Sequence, residues 1–448
     1  MKKIFIHILL IAFIFFLISC GGGGGGGDGG GDDSTDNSNS AKLSKMNISD
    51  AKNLYIAKTS SNFMASIGLD SNELSFKTTP NSTEGKLFKI TEDGYAEEVK
   101  YLDENEQIVS DFFIPNSLIK LNEKYIIVCF SNGDNYLVNI ETEACYKYTE
   151  DIPYFSSYNA GLYNGEITVN DANGNIYFLA NGKLLKLNVS NPQNVSLQSL
   201  LPPNESVSSS YSWSVDDNGN IAYEGRDNVG NGTLRFKSVS NGYSNLPGST
   251  NFSFTMFWQG LDGLIYYFNQ SNPGEKIKKI NSNPFSPEDC NVAANALGSA
   301  GACGFNNLLK AKNKNRMILL ADGSAYPEFY EVYNSDTNTI TRIAAGTVGL
   351  QSFKFAFSSD DDYYLVGTNL SHKTTLMKIN PTTFEYEEML TSGIYDIYTA
   401  CLNGENILFN ALRMSDGAIV IGRIANDKSV TIIDENLSKP VTVLERIR

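Results

Sequence analysis

The sequence of 448 residues predicts an all-β fold, a single β-propeller built from four-stranded blades. A polar turn followed by a short apolar strand recurs seven times, for example as Asp-Ala-Asn-Gly-Asn-Ile-Tyr-Phe from Asp171 to Phe178. The strands behind these turns begin 43 to 53 residues apart, at Tyr125, Ile176, Ile221, Leu264, Met317, Tyr363 and Ile407. A repeat of this length, with several short strands in each unit, is typical of propeller blades.

The later repeat units fit a plan of four strands each, and the 24 tyrosines and 25 phenylalanines favour strands over helices. In the third unit the predicted strands are Glu166–Asn170, Asn175–Ala180, Lys183–Val189 and Val195–Leu200. In the seventh unit they are Phe353–Phe357, Tyr363–Gly367, Thr375–Ile379 and Tyr386–Leu390. Asn and Gly in the intervening turns supply the positive φ angles that tight hairpins need.

The first unit departs from this plan because no strand precedes Leu54. Its predicted strands are Leu54–Ala57, Leu87–Ile90 and Ala96–Leu102. An extra β-rich segment, Val441–Ile447, follows Pro440 at the other end of the chain, and Pro is tolerated at the first edge of a strand. We predict that this segment is the innermost strand of blade 1, paired with Asn53–Lys58. That closure gives eight blades, and seven are the alternative if the first unit lies outside the ring.

Residues 1–19 predict an export signal, in which Lys2 and Lys3 precede the apolar run Ile4–Phe16. That run is too short for a typical membrane-spanning helix. The signal ends in Leu-Ile-Ser-Cys at Leu17–Cys20, which resembles the bacterial lipobox. The resemblance implies cleavage before Cys20 and a lipid anchor, palmitate included, on the new N-terminus. An uncleaved signal anchor is the alternative.

Residues 20–45 predict a flexible tether, since a run of Gly and Asp after Cys20 cannot bury enough apolar surface to fold. Such a chain has a reach of roughly 25–30 Å. A phosphate-binding glycine loop is excluded, because no strand precedes the glycines and no Lys follows them at the required place. The propeller domain is then predicted to cover residues 46–448.

Charge and histidine content exclude several classes of function. The formal net charge of −15 disfavours binding to nucleic acid or to anionic lipid headgroups. His7 lies in the export signal, so His372 is the one histidine left for a nucleophile that needs a base. His372 lies in a polar segment and is expected to face solvent. We therefore predict no catalytic residue and no cofactor.

Acidic turns suggest calcium binding, because Asp171, Asn173 and Asn175 match the first ligand positions of an EF-hand loop. The glycine of that loop is misplaced, and Gly182 stands where the final Glu is needed. Asx side chains also cap turns without a metal, which is the favoured interpretation here and at Asp216. We predict no metal site.

Cysteines and aromatic residues provide the remaining site predictions. Cys290 and Cys303 flank a segment rich in Gly, Ala and Asn, and in an exported protein they are predicted to form a disulfide closing about 14 residues. Four aromatic residues on predicted inner strands could stack against a sugar or peptide, with packing between blades as the alternative: Tyr211, Trp213, Phe257 and Trp258. Three basic residues fall in or beside the predicted loops between second and third strands: Arg226, Lys276 and Arg413. Acidic residues lie next to each of them, so we predict a surface of mixed charge there and not a positively charged one.

The lipobox and the repeat layout together resemble the bacterial propeller lipoproteins, which include an eight-bladed one that assists outer-membrane barrel assembly. Tryptophan-docking repeats, WD dipeptides, kelch double glycines and sialidase boxes are absent, so no residue role carries over. We predict a lipid-anchored monomer of the bacterial cell envelope that binds or scaffolds a protein or glycan partner. Gly21 after Cys20 favours the outer membrane. An exported lyase or hydrolase acting on carbohydrate is the alternative, and a surface adhesin is the next.

Overall fold

The structure is a computed structural model in which residues 42–448 belong to one compact unit. It describes residues 42–58, 85–109, 114–148, 168–180, 182–207, 212–226, 232–239, 242–250, 255–260, 262–269, 276–282, 285–293, 303–310, 316–323, 329–334, 339–344, 349–359, 362–380, 382–437, 440–441 and 444–446. The predicted export signal, Cys20, the glycine run and Tyr211 lie outside these residues.

The described part of the chain is all-β and contains no helix. Within it, eight consecutive antiparallel sheets follow one another along the sequence, seven with four strands and one with five. Sequential strands pair with each other in these sheets, except that the first sheet also carries the C-terminal strand Leu444–Arg446 at one edge. This is the strand order of β-propeller blades. No described helix is long and apolar enough to cross a membrane.

The first four sheets are numbered here in chain order, with strands given from one edge to the other. Sheet 1 contains Leu444–Arg446, Ala51–Lys58, Gly85–Thr91 and Ala96–Glu98. Sheet 2 contains Pro115–Lys120, Tyr125–Phe130, Asn135–Asn139 and Cys145–Tyr148. Sheet 3 contains Thr168–Asn170, Ile176–Ala180, Lys183–Asn188 and Ser196–Ser199. Sheet 4 has a first edge split in two and contains Ser206–Val207, Trp213–Val215, Ile221–Arg226, Gly232–Ser238 and Gly242–Thr250.

The last four sheets each have four strands. Sheet 5 contains Thr255–Gln259, Ile265–Asn269, Lys276–Ser282 and Phe285–Ala293. Sheet 6 contains Cys303–Lys310, Arg316–Gly323, Phe329–Asn334 and Thr339–Ala344. Sheet 7 contains Ser352–Ser358, Tyr363–Thr368, Thr374–Ile379 and Tyr386–Leu390. Sheet 8 contains Tyr395–Asn403, Asn406–Arg413, Ile419–Ile424 and Val430–Leu437.

A small two-stranded sheet pairs Lys45–Met46 with Tyr101–Leu102. Two sequence predictions are wrong at this point. The last strand of sheet 1 ends at Glu98 instead of continuing to Leu102. The body also begins before residue 46, because Leu43 is buried beside Met46, and an apolar side chain there packs rather than staying in a solvated tether.

The C-terminal strand lies at the first edge of sheet 1. Leu444 is paired with Tyr55, Glu445 with Leu54 and Arg446 with Asn53, in antiparallel register. The pairing partner is the one predicted from the sequence, and the described strand is shorter than the predicted Val441–Ile447.

The core of the described residues consists of apolar clusters between neighbouring sheets, and sheets 1, 2, 3, 4 and 8 have such clusters on both faces. Such clusters join sheets 1 and 2, 2 and 3, 3 and 4, 4 and 5, and 7 and 8. Another cluster joins sheet 8 to sheet 1 through Leu408, Ile421 and Tyr55, with Val441 beside them. Burial on both faces explains why second strands such as Tyr125–Phe130 are apolar almost throughout.

Candidate functional site

Antiparallel strands give every sheet two ends with different connections. We call the end that carries the links between first and second strands the turn face, and the end that carries the links between second and third strands the loop face. Links between the third and fourth strands lie on the turn face, and links between successive sheets lie on the loop face. The acidic segments singled out in the sequence belong to the turn face.

The acidic turns of sheets 3, 4 and 5 are joined by backbone hydrogen bonds. The N–H of Ala172 donates to the carbonyl of Asp217 across 3.0 Å, and the N–H of Asp217 donates to the carbonyl of Gly263 across 2.9 Å. The side-chain amide of Gln259 adds donor contacts to the carbonyl of Asn170 (3.1 Å) and to Asp217 Oδ1 (3.2 Å). Three successive turns therefore form one network, and two of its acidic residues, Asp171 and Asp216, are those that the sequence predicts to cap turns.

Asp171 uses its carboxylate to cap its own turn. Its Oδ1 accepts from the backbone N–H groups of Asn173 and Asn175, each at 2.9 Å. Its Oδ2 accepts from the Tyr177 hydroxyl at 3.0 Å and from the Asn175 side-chain amide at 2.6 Å. The carboxylate thus has four donors, and its turn-capping role matches the favoured interpretation of the sequence.

Asp216 repeats this arrangement one sheet later. It accepts from the backbone N–H groups of Asn218 and Asn220, and its Oδ2 also accepts from the Ser282 hydroxyl of sheet 5. Asp216 is 2% exposed, so donors replace the water that the carboxylate loses. Among the described residues, no group of three or more His, Cys, Asp or Glu side chains is placed to hold a metal ion.

Asp217 is the electrostatic centre of the network. Partial burial raises its pKa, and the negative charges of Asp216, Asp262 and Asp171 raise it further. Burial and the Asp171 charge likewise raise the pKa of Tyr177, so this phenol stays protonated and donates its hydrogen bond. The exposed atoms of the network can accept hydrogen bonds or attract cations. Its buried carboxylate oxygens already accept hydrogen bonds from donors within the protein.

Glycine is required where two of these turns meet. Gly263 has a φ of +73°, and a Cβ placed on it would collide with the carboxylate of Asp217. Gly174, in the equivalent turn of sheet 3, has a φ of +74° but faces open space. The first glycine is therefore needed for both conformation and close approach, and the second for conformation alone.

The described aromatic candidates are buried between sheets. Trp213 is 4% exposed and packs between sheets 3 and 4 with Tyr177. Phe257 and Trp258 are each 3% exposed, and they stack on Tyr267 at 5.4 Å and on Tyr266 at 5.8 Å. These contacts favour the packing role over a ligand platform, since a platform residue needs one ring face open to the ligand and these rings are almost fully buried.

The two cysteines of the predicted disulfide lie in strands and not in a loop between strands. Cys290 is 4% exposed in the fourth strand of sheet 5, which runs on to Ala293. Cys303 opens the first strand of sheet 6. The loop predicted between them is shorter because the strand of sheet 5 continues past Cys290 to Ala293, which pairs with Lys276. The disulfide itself stays a prediction.

The basic residues near the loop face are mixed with acids, as the sequence predicts. Arg413 makes a double contact with Asp416, the closer at 2.7 Å, and a further one with Glu435 at 3.0 Å. Arg226 lies 3.6 Å from the buried carboxylate of Glu224. The side chain of Lys276 lies outside the described residues, and His372 is exposed in the turn after Asn369.

Sequence reasoning missed a buried polar contact between sheets 8 and 1. The Asn403 amide donates to Asn53 Oδ1, and the Asn53 amide donates to the carbonyl of Leu402. In the same region, the backbone N–H of Val441 donates to Asn410 Oδ1 at 3.0 Å. An Asn within a predicted strand could have indicated this contact. Asn is depleted in strands, and a buried Asn side chain almost always has a hydrogen-bond partner.

Sequence reasoning also missed how the first described residues are held. Glu143 has a φ of +63°, and its Oε1 accepts from the N–H groups of Ile48 (2.9 Å) and Ser49 (2.7 Å). The N–H of Cys145 donates to the carbonyl of Ser44 at 2.8 Å. This segment therefore lies along the fourth strand of sheet 2, which is the last strand of that sheet.

No protein-family model matches the chain, and none of the curated proteins matches it. It is similar to an oligogalacturonate lyase in complex with manganese, with 8% identity, 72% of this chain and 89% of that chain covered, and a TM-score of 0.43. It is similar to the WD40 domain of SCAP from fission yeast, with 11% identity, coverages of 71% and 83%, and a TM-score of 0.41. A putative TolB from Agrobacterium tumefaciens gives 10% identity, coverages of 61% and 81%, and a TM-score of 0.29. At these values the likeness carries no argument about activity or partners.

Proposed function

We propose that this chain is a lipid-anchored, exported propeller of the bacterial cell envelope that binds or scaffolds a protein or glycan partner. The observation that carries the proposal is the position of the segment from Ser44 to Ser49, which pairs with Tyr101–Leu102 after the last strand of sheet 1 and bonds to Glu143 and Cys145 at the last strand of sheet 2. A tether that enters there attaches the body by its outer strands. The turn and loop faces can then serve as binding surfaces.

We also propose that the eight sheets form a closed ring of eight blades. Two features support closure between sheets 8 and 1. The strand Leu444–Arg446 pairs within sheet 1, and the apolar cluster around Val441 contains side chains from both sheets. A closed ring leaves no exposed sheet edge at the junction, which removes a site of aggregation.

A binding role suits the way in which the turn face uses its polar groups. The carboxylates of Asp171 and Asp216 accept several internal hydrogen bonds each, and the turns that they cap are bonded to one another. Such turns are preorganised, so a partner that contacts them does not have to order them first. The network acts as a rigid framework for binding.

Anchoring is tested by fractionation of cells that produce the full chain or Cys20→Ser. We expect the parent protein in the membrane fraction and the variant in the soluble envelope fraction. Cys145→Ser is the matched control, because Cys145 lies in a strand of sheet 2 and should not affect anchoring. A Cys20→Ser protein that remains fully in detergent-extracted membranes would show that the anchor is not a lipid on this residue.

The binding role is tested by cross-linking in intact cells, followed by identification of the adducts. We expect one or a few envelope proteins or glycans to be cross-linked to the parent protein. These adducts should be lost after heating has unfolded the propeller body while the tether is still intact. The purified protein is also assayed against polysaccharide and glycoside panels. Turnover of one substrate that is abolished by a single Asp or Glu substitution would contradict the binding role and favour a lyase or hydrolase.

A further inference from the structure

The first residues after Cys20 that many endoproteases recognise lie where the chain joins the folded body. Residues 21–41 contain no Lys, no Arg and no large apolar residue. The first Lys in this part of the chain is Lys42, and Leu43, Lys45 and Met46 come shortly after it. Proteases that cut after basic or large apolar residues therefore meet their first targets in or beside residues 43–50, which we call the strap.

Backbone hydrogen bonds hold the strap on both of its sides. On one side, the N–H groups of Ser44 and Asn47 donate to carbonyls of residues 100–102, across 2.8 and 3.0 Å. On the other side, the N–H of Met46 donates to the carbonyl of residue 143 across 3.1 Å, and the carbonyl of Ser44 accepts from the N–H of residue 145 across 2.8 Å. The strap therefore lies between the segment that follows sheet 1 and the start of the last strand of sheet 2.

Three apolar side chains of the strap are buried in the core. Leu43 is 1% exposed, and Met46 and Ile48 are each 0% exposed. All three belong to the apolar cluster between sheets 1 and 2. Detachment of the strap would transfer these side chains to water, and the hydrophobic effect opposes that transfer.

Polar side chains of the body fasten the end of the strap that leads into sheet 1. Glu143 Oε1 accepts from the N–H groups of Ile48 and Ser49, at 2.9 and 2.7 Å. The ammonium of Lys89, a side chain that is 4% exposed, contacts Asp50 Oδ1 at 2.6 Å. Glu143 lies in a turn of sheet 2 and Lys89 in a strand of sheet 1, so side chains from both sheets fix the strap.

The contacts of the strap shield the two lysines at the junction. A protease can cut a folded chain only where a stretch of backbone leaves its contacts and enters the protease active site. Lys42 is exposed, but Leu43 and Ser44, which would follow it into that active site, are buried and hydrogen-bonded, respectively. Lys45 is itself paired with Leu102. Cutting after either lysine therefore requires that the strap detach first.

We infer that the strap protects the junction between the predicted tether and the body from proteases that cut after basic or large apolar residues. The body then stays joined to its anchor for as long as the strap is seated. The inference rests on the proposed lipid anchor and adds the feature that keeps the anchored protein in one piece. The agents against which it acts are endoproteases that reach the exported chain.

The test is limited digestion of the purified full chain in detergent with trypsin, followed by mass mapping of the N-terminal fragments. Ser38→Lys places a basic residue before the strap, and we expect rapid cutting at position 38 that leaves the body folded. Cutting of the parent after Lys42 or Lys45 should be far slower. Glu143→Ala removes the acceptor of two strap N–H groups, so cutting after these two lysines should become about tenfold faster than in the parent.

Glu143→Gln and Glu141→Ala are the matched controls. The first variant keeps a side-chain oxygen that can accept from the strap, and the second changes an exposed residue of the same turn. Both should be cut at the rate of the parent. Melting temperatures well above the digestion temperature show that every variant is folded during the assay.

Three outcomes would overturn the inference. The parent is cut after Lys42 or Lys45 as fast as Ser38→Lys is cut at position 38, the two proteins are cut equally slowly, or Glu143→Ala is cut like the parent. Cys20→Ser should be protected in the same way as the parent. A failure of the proposed lipid anchor and a failure of the strap are therefore separate results.

Discussion

The side-chain amide of Asn403 donates a hydrogen bond to Asn53 Oδ1 across 2.8 Å, and the two residues are 350 positions apart in the chain. Both side chains are fully buried. Asn53 belongs to the second strand of sheet 1, and Asn403 ends the first strand of sheet 8. The bond therefore joins the two ends of the described sequence of sheets through groups that have lost their water.

Asn53→Ala should destabilise the protein by about 2 kcal/mol, because it leaves buried polar groups of Asn403 and Leu402 without their partner. Unfolding in urea, followed by tyrosine fluorescence, measures the change. Asn132→Ala is the control, since Asn132 is exposed in a turn of sheet 2, and it should change stability far less. Equal denaturation midpoints for the two variants would contradict a structural role for the Asn53 contact.

Local chemistry explains which parts of the fold could be predicted from the sequence. The second strands of sheets 4 and 7 begin at Ile221 and Tyr363, as predicted, because a polar turn ends directly before an apolar run. The extension of the strand Phe285–Ala293 was missed, because Asn291 has low strand propensity, whereas the strand continues until Ala293 pairs with Lys276 of the neighbouring strand. Propensity describes the segment alone, whereas the sheet decides where pairing stops.

The candidate site was predicted in its parts but not in its assembly. The Asx pattern of Asp171 and Asp216 indicated capped turns, and the structure contains them. The bonds that connect the turns of sheets 3, 4 and 5 depend on how neighbouring sheets pack, and no local pattern encodes that. Trp213 is a similar case: packing between blades was one of the two roles considered for it, but the sequence does not say which residues it contacts.

Gly263→Ala should cost more stability than Gly174→Ala. Both positions have a left-handed backbone, which costs Ala about 1 kcal/mol. At Gly263 the new methyl group must also displace the carboxylate of Asp217, which breaks its contact with Gln259. Thermal unfolding of both variants, and of both again in an Asp217→Ala background, measures the difference. If the difference persists in that background, the collision with Asp217 is not its cause.

Asp217→Asn should raise the melting temperature at pH 7. The folded-state pKa of Asp217 is raised by burial and by neighbouring carboxylates, so its charged form destabilises the folded state at neutral pH. That penalty disappears as the pH falls through the raised pKa, and the two proteins should then converge. Melting temperatures between pH 7 and pH 3 test this, since Asn can still accept the hydrogen bond from Gln259.

Asp416→Asn is the opposite case and the matched control. Hydrogen bonds from Arg413 hold the pKa of Asp416 below its usual range, so its stabilising effect is present at neutral pH and is lost as the pH falls through the lowered pKa. This variant should melt slightly lower than the parent at pH 7 and equally at strongly acidic pH. The same sign for both variants at pH 7 would contradict these pKa directions.

The Cys290–Cys303 disulfide is predicted to form after export. Peptide mass mapping of the full chain, prepared without reductant, should recover the two cysteines in one linked peptide pair. Cys129 and Cys401, on strands of sheets 2 and 8, should be recovered as unlinked peptides and serve as internal controls. Alkylation of both Cys290 and Cys303 in the native protein would rule the bridge out.

Deletion of Val441–Arg448 should lower the free energy of unfolding far more than the removal of eight terminal residues usually does. It removes the strand that pairs with Asn53, Leu54 and Tyr55, and the buried side chain of Val441 between sheets 8 and 1. It also leaves the side-chain oxygen of Asn410 without its backbone donor. Lost apolar burial and lost hydrogen bonds together give about 3 kcal/mol or more.

The uncovered edge of Ala51–Lys58 should then pair with other molecules, so light scattering should show aggregation on warming. Deletion of residues 447–448 alone is the control, because it keeps the paired strand Leu444–Arg446, and it should melt like the parent. A synthetic peptide of residues 440–448 should restore part of the lost stability, since it can supply the missing strand. An unchanged melting temperature after the longer deletion would contradict the proposal that this strand closes a ring of sheets.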